Sequence, residues 1–319
     1  MRPIARVLLA ALAVASFTAS APDSAIDIEY RRLDEQLKSL TNVPKDFEPE
    51  MQSARDALNR VAHTEGFEYR LYRLRDAFVI VERLRYFVAH DSAAKSSDAL
   101  RALWSKERPR FETLGRDRRG TVLERALAQS SATRAERYFQ ASVSYAKPTN
   151  ATNGVYYLAE ASANLGFRDF VRSIAKPSAE QPARASGIAS SLDTLETATL
   201  QFFSTHLTAP DAIPVSVRMK EARELLAQGR IEGAMLMAIE ADIVLSDRGG
   251  PDVLTPAAAP RAGSMSSLLT EWAANEPQAD QKKSREKAMA FYAALFAPAN
   301  SVATSKPSVT VTLVRWPYT

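Results

Sequence analysis

Apolar residues recur at every third and fourth position from Ile26 to Phe296, interrupted mainly by short clusters of Pro, Gly and Ser. That period lines up one face of an α-helix. The chain is therefore expected to be all-α, an array of about a dozen antiparallel helices of helical-repeat or solenoid-like build. The first helix is predicted near Asp27 to Leu40, with Ile26, Tyr30, Leu33, Leu37 and Leu40 on one face. Pro49 suits the opening turn of the second, where a missing N–H costs nothing, and Met51, Ala54, Leu58 and Val61 mark its buried side.

The segment from Gly66 to His90 keeps helical spacing for six turns through Phe67, Leu71, Leu74, Phe78, Val81, Leu84 and Val88. Tyr72, Val79, Ile80, Tyr86 and Phe87 widen the stripe, so this helix is expected to pack on two sides and to sit centrally in its domain. Arg70, Arg73, Asp76, Arg83 and Arg85 are left for a solvated charged face. Ser97 and Asp98 are expected to cap a short helix ended by Pro109, and Thr121 to Ala146 reads as another long one. Tyr156 to Leu165 and Arg168 to Ile174 are predicted to form a tight pair, reversing at Gly166. Residues 176–187, with Pro177 and Pro182, mark a subdivision or an ordered loop. The next helix runs from Ile188 to Leu207, and a hairpin from Val215 to Ser246 breaks at Gln228-Gly229-Arg230. Residues 247–263, rich in Pro and Gly, form a loop before a final pair, Ser266 to Ala274 and Lys283 to Phe296.

The pattern changes after Pro298. Val309, Val311 and Leu313 alternate with Thr310, Thr312 and Val314, the period-two signature of a short extended strand. A lone strand must find an edge for its backbone groups or leave them to water. Three outcomes follow: it packs on its own helices, pairs with another short strand or a second copy, or adds to a partner's sheet with Arg315, Trp316 and Tyr318 as anchors.

The N-terminus departs from the helical pattern in another way. Arg2 and Arg6 precede the nine apolar residues Val7 to Ala15, and the small residues Ala19, Ser20 and Ala21 follow. This is the layout of a secretory signal over residues 1–24, which predicts a periplasmic or secreted protein. Nine helical residues reach about 14 Å, half of a ~30 Å hydrocarbon core, so no transmembrane span is expected once the signal is cleaved. The expected organisation is then 1–24 signal, 25–297 helical domain and 298–319 tail. Export permits disulfides, but the chain has no Cys, so its stability rests on core burial. The formal charge of +4 falls to about +2 without Arg2 and Arg6, and basic residues alternate with acidic ones. No nucleic-acid partner is implied.

Ala222, Leu225, Gly229, Ile231, Ala234, Ala238 and Ala241 fall near the small and apolar positions of a tetratricopeptide repeat, so residues 214–246 resemble one such hairpin. Two departures are the missing large aromatic of the first helix and Ser246 where Pro is common. A fainter echo lies in Leu158, Ala159, Leu165, Gly166 and Phe170. The resemblance implies a helical scaffold that binds a peptide or protein partner, and it carries over no catalytic residue.

Chemistry-bearing motifs are sparse. His63, His90 and His206 lack the spacing of a helical metal site, so no metal or other cofactor is expected. Ser-x-x-Lys pairs occur at Ser92/Lys95, Ser144/Lys147, Ser173/Lys176 and Ser284/Lys287, each able to share a helix face, but without the partner motifs of Ser–Lys hydrolases. Glu160, among Tyr156, Tyr157 and Leu158, is the nearest candidate for a carboxyl acid acting on cell-wall glycan, or else faces solvent or pairs with an Arg. Tyr156 and Tyr157, like Phe202-Phe203 and Phe291-Tyr292, are candidates to line a ligand groove or to pack in a core. The function expected is that of an exported, non-catalytic scaffold in the cell envelope that binds a protein or peptide partner. The alternatives are a cell-wall glycan or peptide hydrolase and a carrier of a small apolar ligand between helices.

Overall fold

The computed structural model describes residues 21–275, apart from 42, 113, 116, 146–149, 184, 207–208 and 248–262. Ten α-helices account for most of them, and no strand occurs among the described residues. They are α1 (Ala21–Ser39), α2 (Glu48–Ala62), α3 (Phe67–Ala89), α4 (Ser97–Glu107), α5 (Val122–Ser144), α6 (Ala151–Ile174), α7 (Ala185–His206), α8 (Ala209–Ala227), α9 (Ile231–Asp247) and α10 (Ser264–Asn275). Short 3-10 turns at Lys45–Phe47, Asp91–Lys95 and Arg108–Arg110 join the earlier ones. The predicted helix at Lys283 to Phe296 and the extended tail lie outside the described residues.

The local chemistry explains several helix ends. Pro49 lies in the first turn of α2, where no intrahelical donor is needed. The Thr121 side chain accepts from the Glu124 N–H, and the Glu124 carboxylate accepts from the Thr121 N–H, a reciprocal capping box that starts α5. α4 is capped by Ser96, whose hydroxyl accepts from Ala99, so the cap falls one residue before the expected Ser97. α8 ends where Gly229 takes φ 69°, and the Arg230 and Gly229 N–H groups donate to the Leu225 and Leu226 carbonyls. That bonding satisfies two otherwise open carbonyls and turns the chain directly into α9.

α3 packs on α1, α2, α6 and α10, which confirms its two-sided burial. Leu71, Leu74, Phe78, Val81 and Leu84 join the largest apolar cluster, whereas Tyr86 and Phe87 at its far end join a second one with Leu100, Phe111, Phe139, Val155 and Leu158. α5 packs along α6 on one side and α9 on another, and α8 and α9 pack on each other. A smaller cluster of Leu195, Val215, Met219, Ala241 and Leu245 holds α7 to that hairpin.

Two expectations are overturned. Gly166 does not reverse the chain: α6 runs unbroken from Ala151 to Ile174. Its missing side chain serves packing, since a Cβ there would stand 3.2 Å from the Phe78 ring of α3, tighter than ordinary contact. Nor is the polar side of α3 a solvated charged face. Arg70 bonds Asp27 of α1 at 2.5 Å, Arg83 bonds Glu160 of α6 at 2.7 Å, and their side chains are only 20% and 15% exposed. Arg85, half exposed, turns back onto Glu82.

The segment after α6 is an ordered loop at Glu180. Its carboxylate accepts from the Val122 N–H at the start of α5 and from both the N–H and the hydroxyl of Ser264 at the start of α10. One carboxylate thus satisfies open donors at two helix N-termini, where its charge also opposes the positive end of each helix dipole.

Candidate functional site

Consecutive residues on a helix point about 100° apart. Tyr138 and Phe139 near the end of α5 therefore serve two different surfaces. Phe139 is buried between Phe111 and Trp104, with ring centroids at 4.3 and 4.7 Å and planes within 11° of parallel. The Trp104 indole N–H donates to the Phe139 carbonyl at 3.2 Å, which fixes the outer ring of the stack. The Arg108 guanidinium lies over Trp104 at 5.7 Å and donates to Glu112 at 2.7 Å.

Beside this stack opens a cleft of about 500 Å³, lined by Trp104, Arg108, Phe111, Glu112, Glu136, Phe139 and Gln140. Its two carboxylates are both engaged, Glu112 by Arg108 and Glu136 by a two-pronged contact from Arg230 at 2.6 and 2.8 Å. A cleft with an aromatic floor, an amide and paired charges can hold a side chain or small ligand.

Tyr138 turns to α6, where its ring stacks on Tyr157 at 5.9 Å. Tyr145, just past the end of α5, stacks on the same ring at 5.0 Å and 13°. Tyr156 stands edge-on to Tyr157 at 6.3 Å, carries the Arg83 guanidinium over its face at 5.0 Å and reaches Phe47 at 6.3 Å. All four tyrosines are half-buried. Burial, reinforced by the nearby Glu160 carboxylate, raises the phenol pKa of Tyr138; burial raises that of Tyr156 against the opposing pull of Arg83. A hydrogen bond with Tyr145, then partial burial, raises that of Tyr157.

Behind these aromatics lies a set of charges that the sequence reading missed. Glu240 of α9, 3% exposed, accepts from Arg75 of α3 at 3.1 Å and from Arg218 of α8 at 3.3 Å. Burial works to raise its pKa, yet Arg75, Arg134 and Arg218 together bring it below the usual carboxylate range. Arg134 of α5 donates to the buried Glu221 of α8 at 2.7 Å. Further along, Arg125 and Gln129 of α5 hold Glu232 of α9, and Arg168 of α6 grips the buried Asp117 at 2.9 and 3.1 Å. The only sequence signal was a set of acids inside an apolar helix, Glu232, Glu240 and Asp242 among Ala, Met, Ile and Leu.

Tyr156 and Tyr157 are brought together with two further tyrosines that sequence reasoning did not group with them, while Arg315, Trp316 and Tyr318 fall outside the described residues. Glu160 is held by Arg83, the Arg pairing weighed for it against an acid role. The Ser173 hydroxyl donates to the Phe170 carbonyl, and Lys95 bonds Asp91, so neither Ser92/Lys95 nor Ser173/Lys176 shows a Ser–Lys contact. His63 and His90 each place a ring nitrogen 2.8 Å from a backbone carbonyl one turn earlier. Phe202 packs on the cluster around Leu195 and Val215. Among the described residues no group of three or more metal-ligating side chains occurs, and no helix is long and apolar enough to cross a membrane. No family model, curated protein or solved structure matches the chain.

Proposed function

We propose that this chain is an exported, non-catalytic helical scaffold that binds a protein or peptide partner through the tyrosine face of α5 and α6. The observation that carries this reading is the grouping of Tyr138, Tyr145, Tyr156 and Tyr157 at one end of that helix pair, each ring half-buried and laid against another. Such residues offer large, rigid contact area with a polar tip at little conformational cost, as protein-binding surfaces use them. The cleft beside Trp104 lies on the other side of the same stretch of α5 and adds a pocket for one anchoring side chain.

The helical-repeat relation is part of the proposal. In the α8–α9 hairpin, Ala222, Leu225, Ala234, Ala238 and Ala241 are all fully buried, as small repeat positions are where two helices approach closely. The tail residues Arg315, Trp316 and Tyr318 are proposed as a second contact in an envelope or extracellular setting.

A photo-reactive phenylalanine analogue placed in turn at positions 145, 157 and, as a control, the exposed Arg101 tests the reading in intact cells. The expected result is one discrete adduct shared by 145 and 157 and missing at 101. Adducts at all three positions, or at none, would reject the tyrosine face. A parallel chain lacking residues 307–319 tests the tail, which is rejected if the adduct forms undiminished. Sequencing the N-terminus of the protein recovered outside the cytoplasm tests export.

A further inference from the structure

We propose that Tyr145 and Tyr157 form an oxidative modification site, at which an oxidant of the peroxidase–peroxide class couples the two phenols into a dityrosine that joins the end of α5 to α6. The rings lie nearly parallel, 13° apart, with centroids at 5.0 Å. That stacking lays one phenol ring alongside the other, within reach of a ring-to-ring bond.

The chemistry needs that arrangement. Each phenol gives up one electron and one proton, and the two radicals join through the ring carbons next to their hydroxyls. The hydrogens on those carbons then move to the oxygens as the rings recover aromaticity. Hydrogen peroxide takes the two electrons and two protons and leaves as two waters. The protein loses two hydrogen atoms and gains one carbon–carbon bond.

Other aromatic pairs are less suited. Tyr156 meets Tyr157 edge-on, at 87° and a longer 6.3 Å. Tyr138 stacks on Tyr157 at a greater distance, 5.9 Å, and a wider angle, 30°. Tyr69 and Tyr72 stack at 6.1 Å but are 2% and 5% exposed, beyond easy reach of an oxidant, whereas Tyr145 and Tyr157 are both partly open to solvent. The chain has no Cys, so no thiol competes for a radical formed on this surface. The inference does not depend on the partner reading, because it concerns the isolated chain.

The test treats dilute purified protein with a haem peroxidase and hydrogen peroxide. Blue dityrosine fluorescence is expected in the monomer, with an intact mass lower by two hydrogen atoms. Both signals should fall to background in Tyr145→Phe and Tyr157→Phe, which keep the stacked rings, and persist in Tyr138→Phe and Tyr156→Phe. Fragment mass spectrometry of the oxidised wild-type chain locates the bond independently of any variant. A link between other positions, fluorescence confined to covalent dimers, or fluorescence retained in Tyr145→Phe or Tyr157→Phe would overturn the proposal.

Discussion

The α5 helix passes between two surfaces of opposite character. Where it meets α8 and α9, charged side chains are buried and matched: Arg134 of α5 holds Glu221 at 2.7 Å, and Arg75 reaches in from α3 to Glu240 at 3.1 Å, those two being 6% and 3% exposed. Where it meets α4 and α6, near its C-terminal end, Tyr138, Tyr145 and Trp104 are uncharged, aromatic and half-buried. The first arrangement spends polar groups on holding helices in one register; the second leaves rings partly open. Stability and recognition should therefore separate when the two regions are altered one at a time.

The largest effect is expected from breaking the buried pair on one side only. Glu240→Ala leaves the Arg75 guanidinium buried with only a long 3.4 Å contact to the half-exposed Asp76, and breaking such a pair on one side costs about 3–5 kcal/mol. Arg218, a third exposed, can turn toward water and should add little. Replacing both partners, with Arg75→Met and Glu240→Met, removes the stranded charge and should recover most of the loss. Denaturant midpoints of the single and double variants measure this, and equal loss in both would show that packing, not charge, dominates there.

A smaller effect is expected where α10 clamps the start of α3. Gly66 takes φ 89° and ψ 141°, and a Cβ on it would fall 2.2 Å from the Glu271 side chain. Glu271 in turn accepts from the Tyr69 N–H at 2.8 Å, an open donor of the first turn of α3. Gly66→Ala combines backbone strain with displacement of that carboxylate and should cost about 2 kcal/mol. A thermal melt reads it, and retained stability would place the strain elsewhere.

The same clamp gives the fold a pH dependence. Burial first, then the hydrogen bond and charge of Glu271, push the Glu68 carboxyl up from 4.5 to about 7. A carboxyl raised in the folded state favours its neutral form, so its contribution is complete below pH 4.5 and is lost as pH rises through about 7. Because Glu68 is partly exposed, solvent moderates the effect. Unfolding midpoints should fall between pH 5 and 8 in the wild type and vary less in Glu68→Gln; identical profiles would remove Glu68 as the source.

Several of these contacts could be read in the sequence, and others could not. The start of α5 at Thr121 and the break between α8 and α9 at Gly229 were legible, because in each case the partners lie within a few residues. Gly166 was misread because a glycine in a helical run signals a turn, while the ring that requires it, Phe78, lies 88 positions away. Arg70 and Arg83 were assigned to solvent for the same reason: their carboxylates, Asp27 and Glu160, belong to other helices. Of the tyrosine face, only the adjacent pair Tyr156 and Tyr157 was legible. Tyr138 and Tyr145 join it through the packing of α5 on α6, and Trp104, Phe111 and Phe139 likewise meet only in three dimensions.

The smallest stability change is expected on the aromatic side, and there it should accompany the largest change in binding. Tyr157 touches Tyr138, Tyr145 and Tyr156 but remains partly in water, so Tyr157→Ala gives up two stacked contacts and one edge-on contact, each worth little where water reaches the rings, and should cost about 1.5 kcal/mol. Glu240→Ala, more costly to the fold, leaves every tyrosine in place. Partner adduct formation, measured with the cross-linker at position 145 and below the unfolding midpoint of both variants, should survive in Glu240→Ala and disappear in Tyr157→Ala. The reverse ranking would move the recognition surface from the rings to the charged seam between α5, α8 and α9, and would make the order held by those buried pairs, not the open aromatics, the feature a partner reads.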